Sequence, residues 1–273
     1  MTVNIRLIKH EAVPKCGKRN KSLRIGVVGA MSEEIALLRN GLENPLVQTR
    51  GMRDYWQGSL FGRSVVLAFS RWGKVASAST VTTLIEFFEV DLVVFTGVAG
   101  ALAPGLDIGD IVIAESLMQH DMDASALGIK PFEIPLLGVE NFPIKKRLVD
   151  LATESARRYL TEDLPNDVPS ELLHEFGIVQ PKVCTGLIIT QDQVVGSTEA
   201  QSKIKRAIPA ALCVEMEGAA VAQVCYEHDV PVAVVRTISD KADHSAVINF
   251  PRFVDKVASH FTCGIVRGFI AQA

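Results

Sequence analysis

Four short stretches carry the side chains that could do chemistry, and each follows an apolar run. They are Gly29-Ala30-Met31-Ser32-Glu33-Glu34, Thr96-Gly97-Val98-Ala99-Gly100, Glu215-Met216-Glu217 and Arg236-Thr237-Ile238-Ser239-Asp240. In α/β sheets ligands bind beyond the carboxyl ends of the strands, so several carboxylates and one guanidinium would converge on a single rim. Such groups can exchange protons with a bound molecule. They suit phosphate badly, because GVVGAM lacks the G-x-G-x-x-G spacing and acids stand where a pyrophosphate would lie. Each acid also has a plainer reading. Glu33 and Glu34, and likewise Glu217, would complement a helix dipole from the first turn, and Asp240 would serve a turn or cap.

The elements that must position these residues follow from periodicity. LRIGVVG reads as a buried strand, and SEEIALLRNGL as a helix with Ile35, Leu37, Leu38 and Leu42 at helical spacing. YWQGSLFG and RSVVLAFS read as strands joined tightly around Phe61 to Arg63, followed by the helix KVASASTVTTLIEFFE. VDLVVFTGVAG is a buried strand running into a Gly/Ala turn, GDIVIAESLMQ a further strand and KKRLVDLATESARRYL an amphipathic helix. VCTGLII and ALCVEME are strands, the second entering the helix GAAVAQVCYEH, and VPVAVVRTISD is a strand ending in charge. The last helix is expected to begin around Pro251, since proline is tolerated in a first turn. Continuous Val/Ile/Leu strands alternating with helices predict one α/β domain over residues 24–273, its central sheet mixed, largely parallel and flanked by helices. The stretch 128–181, punctuated by six prolines, is the expected surface insertion or flexible region.

With 48% apolar and 22% charged residues the chain can bury a large core. A net charge of −3 provides no basic field for nucleic acid, and Trp56 and Trp72 lack the series of aromatics that a stacking platform needs. The longest uncharged apolar stretch, 92–106, is broken by glycines and Pro104 and falls short of the roughly 18 to 20 residues of a membrane helix. Residues 1–24 carry seven basic side chains and one acid, a local +6 that leaves −9 for the rest. Residues 1–23 are therefore expected to be a mobile basic extension, with a contact arm as the alternative. The five cysteines are odd in number and show no CxxC spacing, which fits a reducing cytosol and a cytoplasmic location; Cys184, Cys213 and Cys225 read as core fillers. His120 reads as a structural hydrogen-bonder, His244 as part of a rim loop, and Asp192 either as a turn residue or as an aid to ligand orientation.

The pieces IGVVGAMSEEIALL, GKVASA, FTGVAGALAPGLDIGDIVIAE, TGLIITQD, VEMEGAAVAQVC and VPVAVVRTISDKAD together resemble the 5′-methylthioadenosine/S-adenosylhomocysteine nucleosidases, of the purine nucleoside phosphorylase-like three-layer fold. The resemblance spans roughly residues 24 to 271. It implies hydrolysis of an adenine N-ribosidic bond in a homodimer, with no metal or cofactor. It further implies Asp240 as the acid toward purine N7 and Glu34 as the base for water, with Arg236 as its electrostatic partner. Glu217 would grip the ribose hydroxyls and Met216 would lie under the sugar. Gly100, Val195 and Ser239 would line the base and ribose pocket, and Phe250 one side of the 5′ wall. Ala124, Leu127 and Ile129 would cover the partner subunit's site. Two positions depart from the family pattern: Val98 replaces a hydroxyl, and Val194 a phenylalanine on the purine wall, so a deoxyfutalosine-type substrate stays open. The rival readings are a phosphate-dependent phosphorylase, with Arg71 near Gly73 as its cation, and a non-catalytic nucleoside-binding protein.

Overall fold

The computed structural model describes residues 23–243 and 246–273. The basic extension, apart from Leu23, and His244 lie outside the described residues. The chain runs β1 (Arg24–Gly29), α1 (Ala36–Asn40), β2 (Glu43–Arg50), β3 (Arg53–Leu60), β4 (Arg63–Phe69), α2 (Lys74–Glu86), β5 (Leu92–Ala101) and β6 (Ile111–Gln119). It continues with β7 (Phe142–Pro143), α3 (Lys146–Arg158), α4 (Leu164–Asp167), α5 (Ser170–Glu175), β8 (Val183–Thr190) and α6 (Thr198–Ala207). It ends with β9 (Ala211–Glu215), α7 (Gly218–Glu227), β10 (Val232–Asp240), α8 (Ala246–Phe253) and α9 (Ser259–Gln272).

The central strands are apolar because both faces are covered: every residue of β10 is buried, as are nine of the ten in β5. Parallel pairings join β1 to β4 and β5, β5 to β10, and β8 to β6 and β9. Antiparallel pairings join β2 to β3, β3 to β4, β6 to β7, β6 to β10 and β5 to β9. The sheet is thus mixed, and five of its strands close on themselves in the order β5-β10-β6-β8-β9-β5. That closed ring brings the ends of β5, β8, β9 and β10 to one rim. Helices flank the sheet, α2 packed on α7 and α3 on α9.

Three expectations are corrected. The final helical segment begins at Ala246, so Pro251 lies inside α8 rather than in its first turn, and a single π-type turn at Val254–Ala258 separates α8 from α9. The stretch 128–181 is no mere insertion. It carries α3, whose Val149, Ala152 and Ala156 are buried against the sheet and α9. The Gly/Ala segment after the central strand is part of β5, which pairs as far as Ala101. Strand β2 has an almost wholly exposed sequence and is held by pairing to β3 at the sheet edge, so no apolar alternation announces it. Cys213 and Cys225 are buried as expected, whereas Cys184 is half-buried.

Candidate active site

The rim encloses a cavity of about 290 Å³. Its floor takes Glu34 from the turn after β1, Val98, Ala99 and Gly100 from β5, Glu215, Met216 and Glu217 from the β9–α7 junction, and Ser239 and Asp240 from β10. Gln193, Val194, Val195 and Ala242 wall one end, and Met31, Trp72 and Phe250 complete the lining. Of the residues expected here, Glu34, Asp240, Gly100, Val195, Met216, Glu217, Ser239 and Phe250 all line the cavity. Arg236 lies beneath them, buried. Ala124, Leu127 and Ile129 do not line it. They sit around a 3-10 turn at Ser125–Leu127, with Leu127 76% exposed.

Glu34 owes its position to a short turn. The helix begins at Ala36 and has no acid in its first turn, so the dipole reading fails for this residue. Its carboxylate instead folds back to accept the N–H groups of Ala30 (2.7 Å) and Met31 (2.9 Å) at Oε2, and that of Val98 (3.1 Å) at Oε1. Burial pushes its pKa up, opposed by the Arg236 charge and the three N–H donors. Glu33, by contrast, is exposed and bonds Ser32. A side chain at position 97 would collide with both partners: its Cβ would stand 2.5 Å from Arg236 Nη1 and 2.7 Å from Glu34 Oε1. Glycine there is the condition for the guanidinium and carboxylate to approach one another.

Glu217 is the N-cap residue of α7, as a helix-end acid would be, but its side chain does not cap the helix. The carboxylate that accepts the N–H groups opening α7, from Glu217 (3.0 Å) and Gly218 (2.7 Å), belongs to Glu215, which also accepts from the Thr190 hydroxyl and the Arg236 guanidinium. Glu217 is thereby free to turn into the cavity, where it accepts the Gly73 N–H at 2.8 Å and stands 3.9 Å from Arg236. Burial, with the neighbouring Glu215 charge, lifts its pKa to about 8. Arg236 Nε and Nη1 have no hydrogen-bond partner among the described residues, and its guanidinium lies 4.2 Å from the Phe95 ring centroid. Removing one partner of such a buried pair typically costs about 3–5 kcal/mol.

Asp240 lies at the other end of the floor. A bulge near the end of β10 pairs Ile238 with Ala99 but Asp240 with Gly100, leaving Ser239 as the extra residue and re-aiming the strand end. The carboxylate accepts the Ala242 N–H and the Ser239 hydroxyl, both at 2.8 Å, so the turn reading is correct as far as it goes. Burial raises its pKa against those two bonds.

Sequence reasoning missed several residues of the lining, Glu215 and Trp72 among them. Glu215 stood in the rim motif without a role, although a carboxylate closing a buried strand requires partners. Trp72 was weighed only for nucleic acid. Asp192 stays outside the cavity but accepts the Lys74 N–H at 2.9 Å, while Lys74 Nζ meets Asp121 at 2.7 Å and the Asp192 N–H meets Asp121 at 3.1 Å. This clasp joins the wall loop 191–195 to the start of α2. His120 is half-buried with its pKa lowered by burial, and Arg71 turns away to the Met52 carbonyl. Among the described residues, no set of three or more His, Cys, Asp or Glu side chains is arranged to hold a metal ion, and no helix is long and apolar enough to cross a membrane.

A nucleoside-sized cavity at the rim of a mixed sheet, floored by buried acids, defines the class: residues 24–271 match the family model of the phosphorylase superfamily. Within that superfamily the chain belongs to the 5′-methylthioadenosine/S-adenosylhomocysteine nucleosidase family. It is 36% identical over 237 residues to the nucleosidase of that name from Staphylococcus aureus, covering 86% of this chain and 93% of the relative. The Neisseria meningitidis nucleosidase in complex with methylthio-immucillin-A superposes with a TM-score of 0.80 at 32% identity, over 92% of this chain and 99% of that one. Futalosine hydrolase of Helicobacter pylori also matches, with a TM-score of 0.77 at 32% identity and coverage of 92% and 99%.

Proposed function

We propose that the cavity hydrolyses the N-ribosidic bond of a 5′-modified adenine nucleoside, of the 5′-methylthioadenosine, S-adenosylhomocysteine or deoxyfutalosine type, and releases adenine. The observation that carries this reading is the acidic make-up of the lining. Four acidic residues, Glu34, Glu215, Glu217 and Asp240, line the cavity, and no Lys, Arg or His among the described residues does. The nearest cation, Arg236, is committed to Glu215. A phosphate dianion would find no cation among these lining residues to hold it, whereas a ribosyl group gaining positive charge would be stabilised by a carboxylate.

In the proposed reaction the bond between C1′ and N9 breaks with its electron pair passing to the purine. Asp240, whose pKa is raised by burial, gives its proton to purine N7. Glu217 accepts hydrogen bonds from the ribose hydroxyls and interacts more strongly as the sugar becomes cationic. Glu34 takes a proton from the attacking water, whose oxygen adds to C1′. The cycle closes when the proton on Glu34 is lost and Asp240 regains one from solvent. The two carboxylates of the proposed pair have different surroundings: Glu34 accepts three backbone N–H groups near a guanidinium, whereas Asp240 accepts one N–H and one hydroxyl.

The test is adenine release from methylthioadenosine in phosphate-free buffer. Product that appears only when phosphate is added would replace hydrolysis by phosphorolysis, and binding without turnover would leave a nucleoside-binding protein. The protein is also proposed to act as a cytoplasmic homodimer in which Ala124, Leu127 and Ile129 of each subunit cover the other's 5′ pocket. The 76% exposure of Leu127 and its absence from its own cavity support this. A fully active monomer by light scattering at assay concentration would exclude it.

A further inference from the structure

The end of the cavity that holds Asp240 is closed by three chain segments, and one side chain outside the lining ties them together. Val194 and Val195 of the wall loop lead directly into α6. Ser197 caps that helix, and Gln201 is its fourth residue. From there the Gln201 amide reaches across, Nε2 donating to the Ala101 carbonyl at 3.2 Å and to the Lys241 carbonyl at 2.6 Å. The first of these carbonyls follows Gly100 at the end of β5, and the second follows Asp240 at the end of β10. Both partners can only accept, and an amide nitrogen has two N–H groups to give them.

The Lys241 carbonyl belongs to the same planar peptide group as the Ala242 N–H, which donates to Asp240 Oδ1 at 2.8 Å. Gln201 thus grips one side of a rigid unit whose other side grips the carboxyl. That unit needs holding. Ala242 is left-handed, with φ of +51°, a conformation that a residue with a Cβ keeps only where its surroundings fix it. Turning the peptide over would carry its N–H away from Asp240. On the opposite side the packing leaves no slack, since a Cβ on Gly100 would stand 2.9 Å from both Ala242 Cβ and Asp240 Oδ1. A donor at the carbonyl oxygen also polarises the peptide and strengthens its N–H as a donor.

We propose that Gln201 is a positioning residue for the acid: by fixing the Lys241–Ala242 peptide it aims the Asp240 carboxyl at the base. This rests on the hydrolase reading above, which makes Asp240 the proton donor. Proton transfer requires the acid to stand within hydrogen-bond reach of the accepting atom, and small displacements are costly in rate. Gln201 does not itself line the cavity, so its loss should fall on the chemical step rather than on nucleoside binding.

The experiment measures kcat and KM for adenine release from methylthioadenosine in the wild type and in two variants. Gln201→Met keeps the length and helix propensity of the side chain but removes the donor, and Gln201→Lys restores N–H groups. Gln201→Met is expected to lower kcat about tenfold with KM within about twofold of wild type, and Gln201→Lys to recover kcat to within about threefold. An unchanged kcat in Gln201→Met, a loss that falls on KM, or an equal loss in both variants overturns the assignment while the hydrolase reading stands. Wild-type protein that releases no adenine overturns the hydrolase reading and the assignment with it.

Discussion

The floor and the mouth of the cavity are built differently. On the floor Glu34, Glu215, Glu217 and Asp240 are at most 6% exposed, and each is held by backbone N–H groups, a hydroxyl or Arg236. At the mouth Trp72 is 55% and Val194 66% exposed, and contacts there are apolar. Fixed dipoles around the floor set protonation states without reorganising during reaction. The mouth can change residue without disturbing them, which is why the departure at Val194 leaves the acids intact. Val98 illustrates the division within one residue, since its backbone N–H serves Glu34 while its side chain only lines the cavity.

The largest effects should come from the floor. Asp240→Asn is expected to lower kcat about 10²- to 10⁴-fold, because an amide cannot protonate the purine. Glu34→Gln should lose turnover to a similar degree yet still bind a non-hydrolysable adenine nucleoside analogue by calorimetry, since the water loses its base and the ligand keeps its contacts. Substitutions at Val194 that cost as much would erase the distinction between floor and mouth.

An intermediate effect is expected in the pH dependence of stability. Glu217 has its pKa raised from 4.5 to about 8, and Glu34 and Asp240 shift in the same direction. Between those values the folded protein binds more protons than the unfolded chain, so stability falls as pH rises. The thermal midpoint of the ligand-free protein should therefore drop by several degrees from pH 5 to pH 8 and level off above Glu217's value. Glu217→Gln should flatten that slope, and a profile equally steep in the variant would show that the floor does not store this charge.

The smallest effect should be at the clasp that ties the wall loop to the start of α2. Lys74→Met removes the pairing with Asp121 and Asp192. Partly exposed pairs of this kind are worth up to about 1 kcal/mol. The Michaelis constant should rise about two- to fivefold with a smaller change in kcat, because the clasp spaces the base wall from the sugar carboxylate and touches neither reacting atom. A loss confined to kcat would place Lys74 with the floor instead.

Local pattern in the sequence determined the strands that became β1, β3–β6 and β8–β10, the helices α2, α3 and α7, and the identity of the acids at their ends. Runs of Val, Ile and Leu report burial, and burial on both faces is a property that each strand carries in its own residues. The Ser197 hydroxyl accepting the Ala200 N–H shows that even the unread helix α6 had a local signal in its capping serine. Tertiary structure decided what those residues do. The ring closes through β5 with β10 and β5 with β9, pairings between segments more than a hundred residues apart, and no periodicity within either segment encodes its partner. The bulge at Ser239, the approach of Arg236 to Glu34 over Gly97, and the division of labour that gives Glu215 to the helix and Glu217 to the cavity all follow from that closure. A carboxylate's protonation state depends on distance and burial in three dimensions, so the sequence could name the acids while only the packed rim gave each its partners.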